Sequence, residues 1–330
     1  MPPLIRVNIH ASAQPHHFAA ALRRSFERRC IDPQFHYLSI RQSQAWLALH
    51  RQYSPFAASS TGMDVYHSAF DWLAKNLPGE AVELVSLACG GAEKERQLIK
   101  FLRRAGKDVR VTVSDISLPL VLEGYQTLCA EPGVTGIEAV TLDILEADDL
   151  NALLTMGRAR ETNRVVTCFG LMPNTDPQRI AARLASLPAK NDVLLVGANL
   201  VPESDYEQNT RAALSGYDND ATRQWLGILL QDVGFERDDG EISFGVEPCA
   251  SLPELLQIVG HYRLRQDRTI ELGGPLKFSA GERLRLFFSN RYTPNLLRRV
   301  FESQKMKILG EWVSAEKNEG IIACGKNVSG

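Results

Sequence analysis

The stretch Ser86-Leu87-Ala88-Cys89-Gly90-Gly91-Ala92 joins an apolar run that begins at Val82 to a helix-forming run over residues 92–104. The two glycines permit positive φ angles and let a ligand approach the main chain, while the first turn of the helix offers backbone N–H groups without partners. A turn of this kind between a strand and a helix can hold a nucleotide. A turn of small residues without a ligand is also common in α/β proteins, so the following strands must decide between the two interpretations.

The next two predicted strands both end in acids. Residues 108–115 form a strand that ends at Asp115, and residues 136–142 form another that is followed by Asp143 and Ile144. At the carboxyl edge of a parallel sheet, the first acid suits ribose hydroxyls, and the second acid with its apolar neighbour suits an adenine ring. This order is typical of class I S-adenosylmethionine methyltransferases, and the G-x-G-x-x-G pattern of dinucleotide sites is missing. Capping of a neighbouring helix is the alternative role for each acid.

Length and composition indicate an ordinary soluble protein. The 330 residues are 44% hydrophobic and 23% charged, with a formal net charge of −2, which provides no general attraction to nucleic acid or anionic lipid. The N-terminus has no sustained apolar segment, so we expect no signal peptide or transmembrane helix and a cytoplasmic protein. The last quarter is locally basic, and we expect its arginines to form a solvated face: Arg263, Arg265, Arg268, Arg283, Arg285, Arg291, Arg298 and Arg299.

The cysteines and histidines do not follow a metal-binding pattern. The six cysteines include no C-x-x-C pair, and the seven histidines include no H-x₃-H or H-E-x-x-H spacing. We therefore expect reduced thiols, no disulfide framework and no metal.

Alternating strands and helices over residues 80–198 predict a doubly wound parallel sheet. The alternation then stops for some ninety residues, with a helix over 221–233 and short strands at 242–246, 261–272 and 283–288. A helix at 295–303 and a hairpin of 306–313 with 319–324 return to the sheet. The expected division is a helical lobe part over 1–60, the sheet domain over 61–198, a lobe insertion over 199–292 and the last sheet elements over 293–330. The lobe would cover the carboxyl edge of the sheet.

Six segments, taken in chain order, carry a resemblance to a known family. They are LACGGAEKERQ (87–97), VSDISL (113–118), LD (142–143), CFGLMPN (168–174), GYD (216–218) and GERLRLFFSNRY (281–292). Over residues 32–324 the chain resembles the histidine N-alpha-methyltransferases of ergothioneine biosynthesis and their fungal relatives that methylate tryptophan-derived amines. The resemblance implies a class I methyltransferase fold, an α/β doubly wound seven-stranded sheet with a second lobe from the N-terminus and a mid-chain insertion. It also implies S-adenosylmethionine as cofactor.

The resemblance further implies site residues in this chain. Those matching the family's cofactor contacts are Ala88, Gly90, Lys94, Asp115, Asp143 and Ile144. Those matching the residues that orient the acceptor are Tyr37, Asn174 and Tyr217, with Tyr53, Gly170, Gly260, Phe287 and Ser289 also lining its pocket. Each tyrosine could instead be an ordinary core residue, and Asn174 a turn residue beside Pro173.

The chain departs from the family pattern at three places. The turn has Ser86 in place of the usual acid and Ala88 in place of the first glycine, and the Gly170-to-Asn174 spacing is one residue shorter. The imidazole-binding glutamate of the family falls at Phe287, and its pocket methionine falls at Gly260. Because phenylalanine cannot accept a hydrogen bond from an imidazole N–H, histidine is a poor acceptor in this interpretation. Core packing is the alternative role for Phe287.

We therefore expect an N-methyltransferase that acts on a small amino acid or amine other than histidine, as a monomer or homodimer, with proton loss to water or a tyrosine hydroxyl. One alternative is cyclisation or elimination of S-adenosylmethionine to give methylthioadenosine. The others are methylation of RNA or protein through the basic face, and a cofactor-binding scaffold without catalysis.

Overall fold

In the computed structural model, the described residues are 4–54, 56, 60–153 and 162–327. The strands are β1 (Val7–Ile9), β2 (Ala81–Leu87), β3 (Asp108–Asp115), β4 (Val134–Thr141), β5 (Asn163–Cys168), β6 (Val193–Asn199), β7 (Gly240–Pro248), β8 (Leu256–Leu264), β9 (Arg268–Glu271), β10 (Pro275–Phe278), β11 (Arg283–Arg291), β12 (Met306–Val313) and β13 (Glu319–Lys326). The α-helices are α1 (Pro15–Glu27), α2 (Ile40–Tyr53), α3 (Ser60–Asn76), α4 (Glu93–Arg104), α5 (Leu118–Cys129), α6 (Leu150–Leu153), α7 (Pro177–Ala185), α8 (Tyr206–Ala212), α9 (Asp220–Asp232) and α10 (Pro294–Ser303).

The central sheet has the strand order β1-β4-β3-β2-β5-β6-β13-β12. Its strands from β1 to β6 pair in parallel, whereas β13 runs antiparallel to both β6 and β12. From β2 the chain adds β3 and β4 on one side and β5 and β6 on the other, so the strand order switches between β2 and β5. Ligands of open α/β sheets bind at the carboxyl ends of the strands beside such a switch. The α/β doubly wound sheet of a class I methyltransferase is confirmed. The three-residue β1 is an eighth strand that the sequence did not predict, because so short a segment shows no periodicity.

Two apolar layers cover the faces of this sheet. Helix α4 starts with Glu93 and Glu95, whose charges suit the positive end of the helix, and it buries Leu98 and Leu102 against β2 and β3. Helix α5 begins where the Ser117 side chain accepts a hydrogen bond from the backbone N–H of Leu120. The opposite face packs against α7 and α10. Helices on both faces leave only the strand ends for a ligand.

A second lobe is built from the N-terminal helices and the insertion, as the fold class predicted. Strands β7, β8 and β11 form an antiparallel sheet in the order β11-β8-β7, and β9 pairs with β10. Phe26 of α1 packs 6.2 Å from Phe235 of the insertion, measured between ring centroids, so distant chain segments share one core. The strand expected over 261–272 is instead divided between β8 and β9. Across the described ranges, no helix is both long and apolar enough to cross a membrane.

Candidate active site

The turn after β2 has an unusual backbone. Ala88, Gly90 and Ala92 all have positive φ angles, of 51°, 52° and 53°. A Cβ atom added to Gly90 would lie 2.8 Å from the Trp46 ring, so glycine is required there for space as well as for conformation. The turn therefore brings bare backbone under α2.

Two buried carboxyl groups stand beside this turn. Asp115 accepts hydrogen bonds from the backbone N–H groups of Gly90 at 3.1 Å and Ser117 at 3.0 Å, and its burial raises its pKa to about 6. Asp143 accepts from the N–H of Leu145 at 2.9 Å, and burial raises its pKa too. The Asp115 contact to Ser117, which caps α5, is of the kind that the capping alternative predicts, whereas the Asp143 contact to Leu145 lies within a turn. Both acids also line a cavity, which capping alone does not require.

That first cavity has a volume of about 880 Å³, within the usual range of small-molecule sites. Five of the six residues expected at the cofactor line it together: Ala88, Gly90, Asp115, Asp143 and Ile144. Chain order in a parallel sheet brings them to one edge. Lys94 does not line this cavity.

A second cavity of about 690 Å³ adjoins the first. Its walls include the expected acceptor residues Tyr37, Tyr53, Gly170, Asn174, Tyr217 and Phe287, together with Lys94. The two cavities share a set of lining residues that we call the junction: Tyr37, Trp46, Ala88, Gly90, Gly170 and Asn174. A group bound in one cavity can therefore reach a group bound in the other.

Tyr37 has its hydroxyl at the junction. The Asn174 side chain Nδ2 donates to this hydroxyl over 3.4 Å, and the Tyr37 ring packs 5.6 Å from Trp46 and 5.5 Å from Trp225 between centroids. Burial, with the nearby Asp115 carboxyl, raises the pKa of Tyr37 far above its ordinary value. The hydroxyl therefore stays protonated at neutral pH.

A polar cluster forms around Tyr217 on the far wall of the second cavity. The Tyr217 hydroxyl lies 3.0 Å from the Ser289 hydroxyl and accepts from Asn199 Nδ2 at 3.5 Å and from Arg291 Nη2. Ser289 is fully buried behind Tyr217 and does not line the cavity. Asn199 and Arg291 were not among the site residues predicted from the sequence. Asn199 is the last residue of β6, and Arg291 lies within the quoted 281–292 segment, so the sequence contained a signal for both.

Phe287 and Gly260 face each other across β11 and β8. The Phe287 ring lines the second cavity and packs 5.7 Å from Tyr217 and 5.9 Å from Trp225 between centroids. Gly260 is buried behind Phe287 and lines neither cavity, in contrast to the prediction from the sequence. A Cβ atom at Gly260 would lie 3.1 Å from the Phe244 ring. This end of the cavity is aromatic.

Lys94 also lines the second cavity. Its Nζ is 3.8 Å from Glu319 Oε1, 3.5 Å from the Phe169 carbonyl oxygen and 4.6 Å from the centroid of the Tyr66 ring. The Tyr66 hydroxyl donates to the same Glu319 carboxylate. Burial lowers the pKa of Lys94 and raises that of Glu319. The side chain expected at the cofactor thus belongs to a buried ion pair on the second cavity.

Among the described residues, no group of three or more His, Cys, Asp or Glu side chains is arranged to hold a metal ion.

Comparison with known proteins gives one family match. The model of a family described as "Histidine-specific methyltransferase, SAM-dependent" matches residues 52–326. No curated protein sequence matches the chain.

Two solved structures are among those to which the chain is similar. Magnesium protoporphyrin IX methyltransferase from Synechocystis PCC 6803, with bound S-adenosylhomocysteine, is 12% identical with a TM-score of 0.41, and the match covers 87% of this chain and 95% of that one. The 1,6-didemethyltoxoflavin-N1-methyltransferase from Burkholderia thailandensis is 11% identical with a TM-score of 0.44, over 95% of this chain and 91% of that one. Both scores are below 0.5, so the fold assignment comes from the strand order.

Proposed function

The chain belongs to the histidine-specific, S-adenosylmethionine-dependent methyltransferase family, and within that family we propose that it N-methylates a small amino acid or amine other than histidine. The observation that carries the proposal is Phe287, whose ring occupies the end of the second cavity where the resemblance implies an imidazole-binding acid.

The first cavity fits the cofactor of the family. Any side chain at position 90 would fill the space beside the Gly90 backbone. Asp115, Asp143 and Ile144 lie at or just after neighbouring strand ends and line the same cavity. Asp115 would accept hydrogen bonds from ribose hydroxyls, while Asp143 and Ile144 would hold the adenine. When bound, S-adenosylmethionine supplies an electrophilic methyl group.

The junction is where an acceptor amine must lie. Tyr37 and Asn174 line both cavities, so they can orient an amine toward the first cavity while its side chain extends into the second. Because Tyr37 stays protonated, the proton lost by the amine goes to solvent. The catalytic contribution of these residues is orientation and exclusion of water.

Phe287 determines the preference at the other end. It is 4% exposed and packs against two further aromatic rings, so a bound imidazole N–H facing it would lose its hydrogen bond to water without replacement. Leaving such a group unpaired costs about 1–3 kcal/mol, which lowers preference for histidine roughly ten- to a hundredfold. An apolar or aromatic side chain meets no such penalty.

The arginines of the last quarter favour a small acceptor over RNA. Arg265, Arg268 and Arg299 pair with carboxylates at 2.8, 2.9 and 2.7 Å. Paired charges neutralise one another and leave little attraction for a phosphate backbone.

The test compares turnover of histidine, tryptophan, tyrosine, phenylalanine and leucine by the parent and by F287E, with F287L as the matched control that keeps an apolar side chain. We expect the parent to prefer apolar or aromatic acceptors, F287E to gain histidine turnover roughly ten- to a hundredfold, and F287L to gain none. Binding of S-adenosylhomocysteine verifies that each variant is folded.

Product analysis completes this test. Methyl transfer yields S-adenosylhomocysteine, whereas cyclisation or elimination yields methylthioadenosine. Better use of histidine than of the other four amino acids by the parent would contradict the role of Phe287, and methylthioadenosine as the main product would contradict methyl transfer.

A further inference from the structure

A short N-terminal segment, residues 10–12, lies beside Asp143 on the first cavity. It follows β1, which pairs in parallel with β4, and the His10 backbone N–H extends this ladder by donating to the Thr141 carbonyl oxygen at 2.9 Å. Neighbouring parallel strands end at the same edge of a sheet, so the residues after β1 reach the residues after β4. All three residues of the segment line the first cavity, as Asp143 and Ile144 do.

Ser12 is bonded directly to the main chain of Asp143. The Asp143 backbone N–H donates to Ser12 Oγ at 3.0 Å, although the two residues are 131 positions apart in the chain. Asp143 Oδ1 accepts from the Leu145 N–H, and a carboxylate has further acceptor sites for a ligand. Ser12 therefore holds the backbone from which the carboxylate projects and leaves the carboxylate itself available.

His10 orients the Ser12 hydroxyl. Its Nε2 lies 2.9 Å from Asp149 Oδ1, and because an ionised carboxylate only accepts, this contact places the imidazole proton on Nε2 and leaves Nδ1 as an acceptor. The Ser12 hydroxyl lies 2.7 Å from Nδ1, and the Ser12 backbone N–H donates to the same atom at 3.1 Å. With its proton directed to His10, the hydroxyl presents its lone pairs to the Asp143 N–H.

We infer that Ser12, oriented by His10, is a positioning residue for the cofactor's base: it holds the main chain of Asp143 so that the carboxylate meets the exocyclic amine of adenine. This inference rests on the proposed function, because it takes Asp143 and Ile144 to hold the adenine. The family match covers residues 52–326 and the resemblance covers 32–324, so neither assigns a role to residues 10–12.

The experiment measures purine selectivity, defined as the Kd of S-inosylhomocysteine divided by the Kd of S-adenosylhomocysteine. At purine position 6 the first ligand has a carbonyl acceptor where the second has an amine donor. A carboxylate held at that edge accepts from the amine and repels the carbonyl oxygen, so the ratio reports on how well Asp143 is placed. Calorimetry gives both Kd values for the parent, S12A, S12T, H10A and D143N, and circular dichroism verifies that each is folded.

The matched control is S186A. The Ser186 hydroxyl donates to the Arg183 carbonyl oxygen at 2.7 Å, at an exposed position outside both cavities, so the same atom is removed from a comparable bond elsewhere. S12T keeps the hydroxyl, and D143N shows directly that the ratio depends on Asp143. H10A tests the same chain of hydrogen bonds if S12A does not fold.

We expect the parent to bind S-adenosylhomocysteine more tightly than S-inosylhomocysteine, and D143N to lose most of this preference. S12A and H10A should lower the purine selectivity roughly three- to tenfold, mainly through weaker binding of S-adenosylhomocysteine. S12T and S186A should keep the selectivity of the parent.

An equal loss of affinity for both ligands in S12A and H10A would overturn the inference, because it indicates that Ser12 only supports the fold of its own segment. Unchanged selectivity in D143N, or no selectivity in the parent, would also overturn it, since Asp143 would then not face the base. None of these results bears on methyl transfer at the junction. Conversely, a parent whose selectivity depends on Ser12 but which methylates no amine contradicts the proposed reaction and leaves this inference standing.

Discussion

Protonation of Asp115 should weaken cofactor binding, and the size of the effect follows from its pKa. The carboxyl is buried beside Gly90, and its pKa of about 6 means that half of the free enzyme carries the proton at pH 6. Ribose hydroxyls donate hydrogen bonds to the ionised form, so binding selects that form. If the complex keeps Asp115 ionised throughout, the apparent Kd rises with the protonated fraction. It becomes about tenfold weaker at pH 5 than at pH 7.5.

The same linkage predicts proton release. Calorimetry of S-adenosylhomocysteine binding at pH 6, in two buffers of different ionisation enthalpy, should show about half a proton released per molecule bound. Tyr37 and Cys89 face Asp115, and burial raises the pKa of both, so neither titrates in this range. D115N removes this titrating group and should bind more weakly at pH 7.5, and its affinity should fall by much less than tenfold between pH 7.5 and pH 5.

The titration of Asp115 does not unfold the protein at the acidic end of this assay. Its folded-state pKa is raised from 3.8 to about 6, so the folded protein holds this proton more tightly than the unfolded chain. That contribution favours folding at low pH and is lost as pH rises through 6. His10 and His17 also line the first cavity, and because D115N keeps both of them, a difference between the parent and D115N reports on Asp115 alone. A tenfold pH effect that persists in D115N, or a flat profile in the parent, would refute the assignment of Asp115.

Two further predictions concern the junction and the turn. N174A removes the amide that donates to Tyr37 at 3.4 Å. The loss in kcat/KM for the acceptor should correspond to about 1.5–3 kcal/mol of transition-state stabilisation, while calorimetry should show nearly unchanged S-adenosylhomocysteine affinity. An equal loss of cofactor binding would show that Asn174 does not act on the acceptor. A88G replaces an alanine that has the left-handed φ angle of 51°, so it should raise the free energy of unfolding, measured in urea, by up to about 1 kcal/mol. The control A182G, at an exposed position of α7, should lower that free energy by about 1 kcal/mol. A similar loss in both variants would show that the turn stores no strain.

Local patterns in the sequence were sufficient to predict which strand ends meet at one edge of the sheet. The apolar run before Ser86, the glycines at 90 and 91, and the acids at 115 and 143 each mark a strand end. In a doubly wound sheet, successive parallel strands place those ends at one edge, so contacts between them follow from chain order. In the structure Gly90, Asp115 and Asp143 line one cavity, and their role toward the cofactor stays a prediction.

The acceptor side depended on tertiary packing. Tyr37 and Asn174 are 137 residues apart, and they meet only because the N-terminal helices and the insertion share one core above the sheet. The same packing directs Lys94 away from the first cavity, buries Gly260 behind the phenylalanine that faces it, and turns Arg291 onto the second cavity beside Tyr217. Periodicity specifies which face of an element is apolar, whereas the direction of a polar side chain is decided by the elements that pack against it. The sequence by itself thus determined the sheet and the strand ends that meet at its edge, and only the folded lobe decided which polar groups line the second cavity.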